Sequence, residues 1–110
     1  MSAASPTAGA PSRDHLDWPF FADSHRALAA ELDGFVARGG LGTIDHDDVD
    51  GACKRLVGAL GAAGILRHCV PEAFGGVSDR IDSRSLCLIR ETLAYEDGLA
   101  DFAFAMQGLG

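Results

Sequence analysis

Leu56-Val-Gly-Ala-Leu-Gly-Ala-Ala-Gly-Ile-Leu-Arg-His-Cys-Val-Pro-Glu-Ala-Phe-Gly-Gly76 decides the fold. An apolar helix runs into a stop built from Pro71, Gly75 and Gly76. The helical pattern starts near Val49 and ends near Ala63, with Val49, Cys53, Leu56, Leu60 and Ala63 on one face. Gly58, Gly61 and Gly64 interrupt it at spacing three. This is not the dinucleotide-binding fingerprint, and it follows a helix rather than a strand. A mid-helix glycine costs about 1 kcal/mol against alanine, so several together predict that another backbone or a ligand comes close. Pro71 pushes His68–Val70 toward extended geometry. Phe74 reads as a core anchor beneath the turn. His68, alone, reads as a satisfied histidine rather than a ligand.

Outward from this stretch the pattern is helical on both sides. Met1 to Arg13 is small and polar, too poor in apolar surface to offset ordering, so residues 1–15 read as a disordered tail before a domain spanning 16–110. Trp18 and Phe21 precede a first helix over Ala22–Ala37 and are placed to staple its start. Leu28, Leu32, Phe35 and Val36 form its buried face, and Gly39 and Gly40 end it. The acidic run Asp45 to Asp50 invites comparison with a calcium loop. With Gly51 at the required glycine, His46 falls on the first ligand position and Val57 on the last, so the pattern fails. Asp45, Asp47 and Asp48 instead cap and charge the start of the second helix. Asp82 or Ser83 caps a third helix with Leu86, Ile89, Leu93 and Cys87 on its apolar face. Gly98 breaks the chain, and Phe102, Ala103, Met106 and Leu109 mark a fourth. The sum is an all-α, up-down helical bundle of about four main helices.

Composition narrows the function. Sixteen acids against nine bases give a net charge of −7, which opposes nucleic-acid binding because phosphate contacts need a basic face. No run approaches the ~18 apolar residues of a membrane span. The N-terminus has neither the basic nor the apolar region of a secretory signal, which leaves a cytoplasmic protein. Cys53, Cys69 and Cys87 are three in number with no CxxC pair, so they read as structural thiols rather than zinc or redox ligands. No P-loop, HExxH or Ser/His/Asp order is present. Glu72, Glu91 and Asp101 are scattered, so no catalytic, cofactor-binding or metal-ligating residue is assigned. The last residues, Gln107-Gly108-Leu109-Gly110, carry no polar exit and read as the edge of a larger protein.

Three segments in order carry a resemblance: Leu60-Gly61-Ala62-Ala63-Gly64-Ile65 with Val70-Pro71-Glu72-Ala73-Phe74-Gly75-Gly76, then Leu88-Ile89-Arg90-Glu91-Thr92-Leu93-Ala94, then Met106-Gln107-Gly108-Leu109-Gly110. Together with Trp18-Pro19-Phe20-Phe21 they resemble the N-terminal helical domain of the acyl-CoA dehydrogenase family. Phe74 stands where that family commonly has tyrosine. The resemblance implies a FAD-dependent oxidoreductase that removes an α-proton and a β-hydride from an acyl-CoA thioester, passes electrons to a separate acceptor, and is homo-oligomeric at full length. It places the catalytic glutamate in a C-terminal helical domain, and most flavin contacts in that domain and a middle β-domain, neither of which these residues include. The chain is therefore expected to be inactive alone and not to hold FAD. Glu91 matches a structural glutamate, not the base. Asp101, Phe102, Ala105 and Leu109 match positions that close the far end of the acyl-chain tunnel. The alternative is a free-standing helical interaction module whose exposed face is Phe102, Met106 and Leu109.

Overall fold

A computed structural model describes the backbone of residues 12–109 and the side chains of 12–107. Four helices form the domain: α1 (Asp23–Ala37), α2 (Val49–Ala62), α3 (Ser83–Glu96) and α4 (Gly98–Leu109). Short 3-10 turns occupy Asp14–Asp17, Ile65–Cys69 and Glu72–Phe74. No strand occurs among the described residues. The all-α bundle expected from the pattern is the fold.

The packing order differs from the chain order. α3 is central, packed against α4 on one side and α1 on the other, while α2 packs against α4. α1 and α3 point the same way, since His25 near the start of α1 meets Asp82 at the start of α3. One core joins all four helices: Leu28, Leu32 and Phe35 from α1, Leu56 and Leu60 from α2, Leu88, Ile89 and Leu93 from α3, and Ala100, Ala103 and Phe104 from α4.

Local chemistry accounts for the helix ends. Asp48 caps α2, its carboxylate accepting from the Gly51 N–H at 3.1 Å. Asp82 caps α3 through the Arg84 N–H at 3.1 Å. Asp97 caps α4 through the Leu99 N–H at 2.8 Å, so the chain turns at Asp97 and Gly98 opens α4 rather than breaking it. α1 begins at Ala22, which has no side-chain oxygen to offer. Here His25 reaches back, its Nδ1 accepting from the Ala22 N–H at 2.9 Å, as a glutamate or glutamine does in a capping box.

Several sequence expectations are corrected. Of the expected α2 face only Leu56 and Leu60 are buried, joined by Ala52; Cys53 is half-buried, and Val49 and Ala63, just past the helix end, are exposed. The α2 glycines do not mark a close approach: a Cβ at Gly58 would meet open space, and one at Gly61 only the Leu66 side chain at ordinary contact distance. Gly64 has φ +81°, the left-handed conformation that ends helices at little cost to glycine. The true close approach is at Gly76, where a Cβ would run into the Val70 carbonyl. Its N–H donates to Pro71 O at 3.0 Å, and Glu72 N–H donates to Ser78 O at 2.7 Å.

The Val70–Gly76 turn is thus closed by its own backbone and needs no side chain beneath it. Phe74 accordingly points outward at 79% exposure, and Ile65 and Cys69 are the buried members of this stretch. Only Val70, next to Pro71, is extended; His68 and Cys69 belong to the 3-10 turn. Cys87 is exposed, because it lies two residues, roughly 200° of helical turn, from the buried Ile89. Of the proposed staple, Phe21 packs against the core while Trp18 stays exposed. Residues 1–11 of the expected disordered tail lie outside the described residues. Arg13 and His15, assigned to that tail, are held on the domain by contacts that no local pattern signals.

Candidate functional site

The four residues matched to an acyl-tunnel end all lie on α4. Asp101 is committed to a salt bridge: its two oxygens accept from Arg90 Nε at 2.9 Å and Nη2 at 3.1 Å. The same bond raises the Arg90 pKa above its ordinary value. Phe102 points outward at 56% exposure, and Ala105 is half-buried. The Leu109 side chain lies outside the described residues. Asp101, Phe102 and Ala105 line neither of the two cavities described below and sit on the outer and lateral surface of α4. Phe102 and Met106 together form the bare apolar face that the interaction-module alternative named, and Met106 is 47% exposed. The inner face is a different set, Ala100, Ala103 and Phe104. The expected grouping of Ala103 with Phe102 and Met106 is corrected on this point, because Phe104 lies opposite them on the helix.

A cavity among the described residues lies elsewhere. It has a volume of about 220 Å³ and lies where α1, the loop after it and the end of α3 meet, with Val36, Leu41 and Ile44 against His46, Glu96 and Asp97. His46 Nε2 is 2.9 Å from Asp97 Oδ2. A larger, more open one of about 500 Å³ borders Ser78–Asp82 and Arg84. No group of three His, Cys, Asp or Glu side chains able to hold a metal occurs among the described residues, and no helix among them is long and apolar enough to cross a membrane.

Two polar networks occupy the α1–α3 seam. In the first, His25 is 1% exposed. Its Nδ1 accepts from Ala22, so the proton sits on Nε2, which donates to Asp82 Oδ2 at 2.6 Å. Ser85 Oγ donates to the same oxygen at 3.1 Å, and Arg84 Nε to Oδ1 at 3.3 Å. Burial opposes the Asp82 charge, but the bonds from His25, Ser85 and Arg84 outweigh it and bring the carboxyl down to about 2. Both His25 nitrogens are used, so the ring is a structural tie and not a general base. The serine hydroxyl faces the carboxylate rather than the imidazole, which is not the relay of a nucleophilic serine.

In the second network, Arg13 joins Asp33 of α1 to Glu91 and Thr92 of α3, at 2.8, 2.9 and 2.6 Å. His68, nearby in the fold and half-buried, is held below its ordinary pKa by desolvation, against the pull of Glu31 and Asp82. Burial likewise pushes the Cys69 thiol up, which leaves it unreactive.

Glu91 is thus a structural acid, pairing with Arg13. Arg13 and His25 escaped the sequence reading. For His25 a signal existed, its position three residues after Ala22. For Arg13, whose partners lie 20 to 79 residues away, none did. No family model matches the chain, and no curated protein matches it at a significant level.

Proposed function

We propose that this chain is the N-terminal helical domain of an acyl-CoA dehydrogenase-like flavoprotein, one that positions other domains rather than performing chemistry itself. The observation that carries the reading is the Val70–Gly76 turn. It joins α2 to α3 as a self-closed unit whose last residue must be glycine, since any Cβ there would strike the Val70 carbonyl. This gives the sequence marker Val-Pro-Glu-Ala-Phe-Gly-Gly a physical reason. The segment Leu88–Ala94 lies in the central helix, as a packing element would.

In this reading, FAD, the acyl-CoA and the electron acceptor are engaged chiefly by domains outside these 110 residues. The outer face of α4 is then the surface such a domain covers, and Asp101, Phe102, Ala105 and Leu109 close an acyl pocket only against it. The reading also makes the full-length protein homo-oligomeric. Sequencing the transcript beyond the Gly110 codon tests it. Downstream Thr-Glu-Pro and Gly-Ser-Asp segments are expected, and a stop codon directly after Gly110 overturns it. The purified chain is expected to show no flavin absorbance and no dye-linked acyl-CoA oxidation. Bound FAD with turnover would sink the claim that the chain is inactive alone.

Exposure of Phe102 and Met106 on one helix favours a second reading, a free-standing helical interaction module, because contiguous exposed apolar side chains mark docking surfaces. A stop codon at that position leaves this module or a truncated relic of the larger protein.

A further inference from the structure

The α1–α3 seam holds a segment that belongs to neither helix. Residues 13–17 form a turn closed by its own backbone, Leu16 N–H to Arg13 O and Trp18 N–H to His15 O, each 3.0 Å. Arg13 and Leu16, three residues apart, make the main ties to the domain, and His15 adds a weaker one, its Nε2 3.7 Å from Glu91 Oε1. Arg13 Nη2 donates to Asp33 Oδ1 and to Thr92 Oγ1, Nη1 donates to Glu91 Oε1, and Nε reaches Asp33 Oδ2 at 3.4 Å. Thr92 gives its own hydroxyl proton to Leu88 O at 2.9 Å, which turns a lone pair toward the guanidinium. Leu16 is buried in the core cluster at 6% exposure, and Arg26 Nη1 donates to the Leu16 carbonyl at 3.0 Å. The helices therefore present a preformed seat: two carboxylates and a hydroxyl for a guanidinium, an apolar socket, and a cation for one carbonyl.

Beyond the turn the chain passes through Trp18 and Pro19, both exposed, to Phe20, where it is tied again: the Phe20 carbonyl accepts from Arg84 Nη1 at 3.0 Å and its exposed ring lies under the guanidinium. Trp18 is extended, as the residue before a proline must be. A locally closed turn on an exposed connector can leave its seat as a unit.

We propose that this seam is an exchangeable seat for an Arg-x-x-Leu turn, filled in cis by Arg13 and Leu16 and able to take the same turn from a second copy. The occupant in trans follows from the contacts: every copy carries the turn and the seat, so reciprocal exchange closes a two-fold dimer. At low concentration the tether favours the cis arrangement, since a short linker supplies an effective concentration in the millimolar range.

The test uses the full chain and a fluorescent peptide of residues 12–21. An Arg13→Ala, Leu16→Ala chain has an emptied seat. It is expected to bind the peptide at least ~10-fold more tightly than the native chain, whose own turn competes. A peptide with Arg13→Ala, or Asp33→Asn with Glu91→Gln in the emptied chain, is expected to lose at least ~10-fold of that binding. A folded, emptied chain that ignores the peptide, or binds both peptides alike, overturns the proposal. If circular dichroism shows the double variant unfolded, Arg13→Ala alone takes its place. Failure of both to fold means the turn is integral to the fold and also overturns it. For the exchange itself, sedimentation of the native chain is expected to show a dimer growing with concentration and lost on Arg13→Ala. A monomer up to about 1 mM overturns the trans arrangement.

Discussion

Phe104 and Phe102 are two residues apart on α4 and do opposite things. Phe104 is 1% exposed, wedged with Ala100 and Ala103 against α3 and α2, while Phe102 is 56% exposed on the far side with Met106. One helix therefore has an apolar face that makes the fold and an apolar face the fold does not use. The α1–α3 seam contrasts with both. There the decisive groups are polar: a buried imidazole on a cap carboxylate, and a guanidinium shared by two acids and a hydroxyl. Burial, not residue type, separates side chains that hold the fold from those that stand ready for something else.

The two faces of α4 differ most in what Phe104 contributes. Phe104→Ala is expected to cost about 3–5 kcal/mol in urea unfolding, the usual loss for emptying a buried aromatic site. A loss near that of an exposed residue would mean α4 is not packed as described.

Within the seam, His25→Ala leaves the Ala22 N–H without its acceptor and Asp82 Oδ2 with the Ser85 hydroxyl alone. The expected cost is about 1–3 kcal/mol, the penalty for orphaning buried polar groups. His25→Gln, which keeps an acceptor for Ala22, is expected to recover part of it.

Acid probes the same tie through Asp82. Its folded pKa, about 2, lies below the ordinary carboxyl value, so the charged form is favoured by folding. That contribution is complete above the ordinary value and is lost as pH falls through about 4 toward about 2. Unfolding midpoints of the native chain are expected to drop more steeply over this window than those of Asp82→Asn. Equal slopes would mean the His25, Ser85 and Arg84 bonds do not favour the charged carboxylate.

How much of this was legible depended on the kind of signal. Leu28, Leu32, Phe35, Leu56, Leu60, Ile89 and Leu93 recur at helical spacing and are buried or nearly so. Asp48 and Asp82 are cap residues by type and position, and they cap. α4 was readable as a helix but not as to which side faces inward. Phe102 and Met106 are spaced i, i+4, while Ala100, Ala103 and Phe104 are spaced i, i+3, i+4, and periodicity alone cannot choose between two apolar faces. Phe74 was misplaced because a turn closed by backbone bonds looks, in sequence, like one that needs an anchor. Arg13 was invisible because its partners Asp33 and Glu91 are brought to it only by the parallel packing of α1 and α3. For the site, the matched positions were legible as a helix segment, but whether they close a pocket depends on what covers the outer face of α4.

The outer face of α4, bearing Phe102 and Met106, can be probed directly. Binding of an apolar dye such as ANS to the folded native chain should be compared with binding to a Phe102→Ser, Met106→Ser chain, alongside their urea midpoints. The expected result is a severalfold fall in dye fluorescence with stability changed by no more than about 0.5 kcal/mol, as for exposed positions. Unchanged dye binding, or a loss of stability comparable to that of Phe104→Ala, would contradict the claim that α4 carries an apolar face the fold leaves free.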